Sequence, residues 1–108
     1  MEATGNYKRG ETIGMYFEGD DIHNIEVNTF IVSVINKSAI ENAIEITKAM
    51  CSKIDDNKYY YEIANTVTKT MREGSYDIEI IIGDDYTFIP MRIGAFKIDN
   101  SYSKKFVQ

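Results

Sequence analysis

The sequence predicts an all-β domain built as two antiparallel sheets packed face to face. Three observations carry this expectation. Runs of about six residues either alternate apolar with polar side chains or consist of β-branched and aromatic residues. Clusters of Gly, Asp, Asn and Ser separate these runs at short intervals. The chain has 108 residues, which suits one domain with one hydrophobic core.

The clearest strand is Tyr76–Ile82, where Tyr76, Ile78, Ile80 and Ile82 fall on one face and Asp77 and Glu79 on the other. Gly74-Ser75 before it and Gly83-Asp84-Asp85 after it are turn material, and Thr87–Ile98 then reads as its hairpin partner. Pro90 lacks an N–H for a ladder, so it predicts an edge position or a bulge early in that run. Gly94 sits where the alternation slips, which predicts a bulge there. Thr12–Phe17 places Ile13, Met15 and Phe17 on one side. Thr29–Ile35 is apolar on both faces and predicts a central, doubly covered strand. Asp55-Asp56-Asn57-Lys58 predicts a turn, and Tyr59–Ile63 another strand. Val67–Glu73 fits either a turn of helix or an irregular crossing.

Residues 38–54 fit two readings. Ile40, Ala43, Ile44, Thr47, Met50, Cys51 and Ile54 recur at helical spacing, and Ser38 with Glu41 matches a capping box. Ile44, Ile46, Met50 and Ile54 also satisfy strand alternation. A short helix near residues 38–50 is therefore allowed within an otherwise β chain. Residues 1–8 and 101–108 lie outside the strong patterns and are expected to be flexible tails of the single domain 1–108.

Composition excludes several kinds of function. The net charge is −5 and the basic residues are scattered, against a nucleic-acid or anionic-membrane module. Eight Tyr, five Phe and no Trp make tyrosine the main amphipathic side chain for a surface contact. Cys51 and His23 are the only residues of their types, so an intrachain disulfide and a CxxC site are impossible, and a nucleophilic pair would need those two to meet. The N-terminus lacks the basic and apolar regions of a signal peptide, and no apolar run is long enough to span a membrane. Phosphate-binding loops and the G-x-S-x-G elbow are absent. No catalytic residue and no cofactor is expected.

Asp20, Asp21 and His23 are the densest set of metal-ligand types, yet their spacing matches no calcium loop and a solvated turn explains them better. Asp84-Asp85 and Asp55-Asp56 have the same two readings. Tyr59, Tyr60 and Tyr61 are the interface candidates: on a strand Tyr60 points away from its two neighbours, and tyrosine is enriched at protein contacts.

The stretch Thr68-Lys69-Thr70-Met71-Arg72-Glu73-Gly74-Ser75-Tyr76, followed by Ile78-Glu79-Ile80, and the opening Gly10-Glu11-Thr12 carry a resemblance. They are similar to the immunoglobulin-like β-sandwich modules of phage tail and baseplate proteins, notably the N-terminal domain of baseplate upper proteins. The resemblance implies a strand across residues 45–54 in place of a helix, and a structural turn motif at Gly74 and Tyr76. It implies a virion component made in the host cytoplasm that docks with other structural proteins or further copies of itself, a homo-oligomer without catalysis. An edge strand such as the Pro90 run, or the segment 101–108, would then add to a partner. The second reading is a bacterial surface adhesion or carbohydrate-binding module.

Overall fold

The computed structural model describes residues 5–19, 25–26, 28–38, 41–83 and 88–99. The strands in chain order are β1 (Gly5–Lys8), β2 (Ile13–Glu18), β3 (Thr29–Asn36), β4 (Glu41–Thr47), β5 (Ser52–Asp55), β6 (Lys58–Ile63), β7 (Gly74–Gly83) and β8 (Phe88–Asp99). A 3₁₀ turn at Lys48–Met50 follows β4, and a single helical turn, α1 (Asn65–Thr68), follows β6. One sheet runs β1-β8-β7-β3-β4 and the other β2-β6-β5. This is the immunoglobulin-like arrangement, with the last two strands beside the third in one sheet and the second, fifth and sixth in the other.

Alternation builds the core as expected. Tyr76, Ile78, Ile80 and Ile82 of β7 are fully buried, and they face Ile13, Met15, Phe17 and Ile63 of the smaller sheet across one cluster. β7 pairs with β3 on one side and β8 on the other. In β8, Gly94 lies opposite Ile78 and Arg92 opposite Glu79, so Ile93 is the extra residue of a bulge. That bulge lets Phe96 and Ile98 return to the core side after the slip in the sequence pattern. Pro90 lies in the part of β8 that β1 does not reach, an edge position that needs no N–H.

Three expectations require correction. β3 is central, between β7 and β4, but only its inner face is covered: Val32 and Val34 are buried while Ile31 is 37% exposed. The outer face of this sheet mixes half-exposed Ile31, Ile35 and Ile81 with charged groups, Asp77 bound by Arg92 at 2.9 Å and near Lys37 at 3.9 Å. Second, residues 5–8 are not a tail. They form β1, parallel to Phe96–Asp99, and the Tyr7 ring meets Phe96 edge-on at 5.9 Å. A neighbouring strand edge supplies what this short segment lacks in alternation. Residues 1–4 and 101–108 lie outside the described residues.

Third, residues 45–54 are neither one helix nor one strand. β4 pairs with β3, the 3₁₀ turn follows, and β5 joins β6 in the other sheet. Of the apolar residues whose spacing suggested a helix, Met50 and Ile54 are exposed, while Ile46, on the strand alternation, is buried. The Ser38 backbone N–H donates to Asn36 Oδ1 in a turn ahead of β4, rather than opening a helix.

The Thr68-to-Tyr76 motif forms a corner between the sheets. Thr68 is buried, and its hydroxyl donates to the Glu11 carbonyl at 2.8 Å, tying α1 to the link between β1 and β2. Met71 inserts into the core. Gly74 holds φ at +135°, a conformation that L side chains rarely adopt. Tyr76 stacks on Phe96 at 5.3 Å and donates its hydroxyl to the Arg72 carbonyl at 2.6 Å. A tyrosine at the start of this strand that bonds back to the preceding loop is a hallmark of immunoglobulin-like sandwiches.

Candidate functional site

The tyrosine triplet sits on β6 and divides between two faces. Tyr59 is 6% exposed and packs beneath Phe30, with ring centroids 5.7 Å apart. Its hydroxyl donates to Glu26 Oε2 at 2.8 Å, while Lys53 Nζ donates to Glu26 Oε1 at 2.8 Å. The Lys53 bond, then the Tyr59 bond, hold the Glu26 carboxyl below its ordinary range. Burial, then the Glu26 bond, push the Tyr59 phenol up. Lys48 Nζ donates to the carbonyls of Glu26 and Asn28, both at 3.0 Å, and lies 5.4 Å from the Tyr59 ring centre. Tyr59 therefore anchors the segment before β3 rather than offering a contact.

Tyr61 lies opposite Met15, half-buried against the core. Tyr60 alone of the three faces outward, as the alternation requires.

On that outward face Tyr60 stands opposite Tyr16 of β2, and the rings meet at 4.7 Å with a 45° tilt. The Tyr60 hydroxyl donates to Glu62 Oε1 at 2.8 Å. That bond, more than burial, pushes the Tyr60 phenol up to about 12. Lys58 Nζ lies 4.7 Å from the Tyr16 ring centre and 3.2 Å from Glu18 Oε1. Gly14 supplies the space: a Cβ built there would come within 2.6 Å of the Tyr60 hydroxyl oxygen. The result is a pair of ordered, solvent-facing aromatic rings framed by Lys58, Glu18 and Glu62.

Tyr16, Gly14, Lys58 and Glu62 were not singled out in the sequence. The alternation of Ile13, Met15 and Phe17 already implied that Tyr16 faces outward. What the sequence lacked was the register that sets Tyr16 against Tyr60, because strands from distant parts of the chain choose their pairing through the whole core.

Gly74 and Tyr76 belong to the corner described above. Asp20, Asp21, His23, Asp84 and Asp85 lie outside the described residues. Asp55 Oδ1 accepts the Asp56 N–H at 2.8 Å, the geometry of a turn. Among the described residues, no group of three or more His, Cys, Asp or Glu side chains could hold a metal ion. No helix among them is long and apolar enough to cross a membrane.

Burial pushes the half-buried Cys51 thiol up to about 11, and its Sγ lies 3.5 Å from the Thr47 carbonyl. Only the thiolate attacks an alkylating reagent, so Cys51 is expected to react on the order of a hundredfold more slowly at pH 8 than an ordinary exposed thiol. Timed iodoacetamide labelling followed by mass spectrometry reads this directly. Labelling at the rate of a small thiol would show that the side chain is not buried as described.

No protein-family model matches the sequence, and no curated protein matches it. Solved structures align with most of this chain, and those with a TM-score above 0.5 show likeness in fold. The endo-beta-1,4-mannanase from Thermotoga petrophila superimposes with a TM-score of 0.58 at 10% identity, over 93% of this chain and 18% of that one. CopC from Methylosinus trichosporium OB3b gives a TM-score of 0.53 at 11% identity, over 94% of this chain and 89% of that one. The extracellular fragment of novel immune-type receptor 11 from Ictalurus punctatus gives 0.39 at 15% identity, covering 96% and 90% of the two chains. The chain thus spans under a fifth of the mannanase chain and most of CopC. Strand order and the Tyr76 corner make the domain a two-sheet immunoglobulin-like β-sandwich.

Proposed function

We propose that this domain is a docking module of a phage or prophage tail or baseplate, and that the outward face of its three-stranded sheet is the contact surface. The observation that supports this most directly is the ordered Tyr16–Tyr60 pair. Its rings are set before any partner arrives, by the space over Gly14, the Glu62 bond and the Lys58 ammonium. A preset aromatic anchor loses little side-chain entropy on binding, which favours affinity. The partners would be neighbouring structural proteins or further copies, met in the host cytoplasm during assembly and kept in the virion.

Co-expression with each protein encoded beside it should yield a complex that survives gel filtration. Tyr60→Ala is expected to weaken that complex on the order of ten- to a hundredfold, with the melting temperature of the domain nearly unchanged. Undiminished binding by Tyr60→Ala, or no complex with any structural neighbour, would reject the reading.

A second reading, a carbohydrate-binding or adhesion module, draws on the outward aromatic face and on the likeness to part of a mannanase. The detailed geometry favours protein docking: Lys58 occupies one face of Tyr16, and the 45° tilt denies a sugar ring a flat platform. Calorimetric titration with β-1,4-linked mannan oligosaccharides separates the two, and saturable binding would reverse this preference.

A further inference from the structure

β2 ends the three-stranded sheet. It pairs with β6 on one side and, among the described residues, with no strand on the other. The ladder shows which of its backbone groups face that open side. Gly19 N–H donates to the Asn57 carbonyl at 2.6 Å, extending the β2–β6 register by one residue. In an antiparallel ladder, hydrogen-bonded pairs recur at every second residue. Ile13, Met15 and Phe17 therefore exchange bonds with β6. The N–H and C=O groups of Gly14, Tyr16 and Glu18 point away from β6, to the side on which no described strand pairs.

Open strand edges usually carry a guard against strand addition: shortness, a bulge, proline or lysine. Among the described residues, the other sheet edges have one. β1 spans only four residues and ends in Lys8. β4 carries a register shift, and β5 combines four residues, a register shift and Lys53. Pro90 guards the part of β8 beyond β1. β2 runs for six residues in unbroken register with neither proline nor a basic residue.

We propose that a second copy of this chain adds its own β2 to this edge, antiparallel, about a twofold axis at Tyr16. This rests on the reading of the domain as a docking module and names one partner, but it uses the edge of the sheet in place of its face. The register follows from the open groups, because edge-facing residues must form the hydrogen-bonded pairs. Centred on Tyr16, all three edge-facing residues find partners: Tyr16 meets Tyr16, and Gly14 meets Glu18 of the other copy. The strand's single charge is then set against glycine, whereas centring on Glu18 would oppose two carboxylates. Met15 of each copy lies beside Phe17 of the other, so the buried rows of the two sheets run on across the joint.

Sedimentation velocity over a concentration series should show a monomer–dimer equilibrium. Tyr16→Pro removes an N–H that β6 does not use but that the joint uses twice. It is expected to raise the dimer dissociation constant on the order of ten- to a hundredfold. Tyr16→Ala removes the ring and keeps the N–H, so it should dimerise more tightly than Tyr16→Pro. Amide hydrogen exchange on the unmodified protein supplies an independent reading should Tyr16→Pro fail to fold. The Tyr16 and Glu18 amides should exchange fast in dilute solution and slowly when concentrated. A monomer at every concentration overturns the proposal, as does Tyr16 amide protection that does not change on dilution. Dimerisation is read on the protein alone and docking on a complex with a neighbour, so the two ideas fail separately.

Discussion

Phe30→Ala is expected to lower the stability of the domain by about 3–5 kcal/mol, the cost of removing a fully buried aromatic ring. Phe30 is 1% exposed on β3, and its ring meets Phe17 of β2 at 6.0 Å and Tyr59 of β6 at 5.7 Å. One side chain thus joins the two sheets through the strands that carry the aromatic face. Its loss also loosens Tyr59, whose hydroxyl holds Glu26 and, through it, Lys53. Domains of this kind are stable by about 5–15 kcal/mol, so this single change takes a large share. Urea unfolding followed by circular dichroism should show a much lower midpoint with an unchanged slope. Ile31→Ala, on the exposed face of the same strand, serves as the control and should move the midpoint little. Equal effects from the two would mean that the sheets do not pack through Phe30.

Tyr76 separates into a ring and a hydroxyl, and two substitutions measure them apart. Tyr76→Phe keeps the stack on Phe96 and removes the bond to the Arg72 carbonyl, at an expected cost of about 1–2 kcal/mol. Tyr76→Ala removes both and should cost about 3–5 kcal/mol. The corner also depends on Gly74 at φ +135°, so the loop reaches the Tyr76 hydroxyl only through a backbone that glycine permits. Thermal melts of the two variants beside the parent protein give the comparison. If Tyr76→Phe melted with the parent, the hydroxyl would be no more than a solvated group at the sheet margin.

Much of this architecture was legible in residues whose pattern is local. The alternation of Tyr76–Ile82 made its buried face and its antiparallel partner β8 readable directly, and Gly94 marked the bulge, but the strand runs on to Gly74 and Gly83, which read as turn residues. The motif from Thr68 to Tyr76 announced a corner because glycine and tyrosine have roles there that few other residues fill. β1 was not legible: Gly5–Lys8 has no alternation, and it is a strand because β8 leaves an edge beside it. Residues 45–54 misled for a related reason. Exposed Met50 and Ile54 gave a false apolar rhythm across a stretch that passes from one sheet to the other. Within the tyrosine triplet the outward direction of Tyr60 was readable, but its pairing with Tyr16 was a matter of register and became visible only in three dimensions.

The parallel pairing of β1 with β8 has a mechanical consequence. The chain enters β1 at Gly5, beside Phe96, and leaves β8 past Asp99, beside Lys8, at the opposite end of the pair. Tension applied between the two ends of the domain therefore slides β1 and β8 along each other, and the rungs between them share the load. An antiparallel pair joined at a turn would instead peel open one rung at a time. Tied at both ends into a larger body, the sandwich would resist pulling through this short, otherwise unremarkable strand.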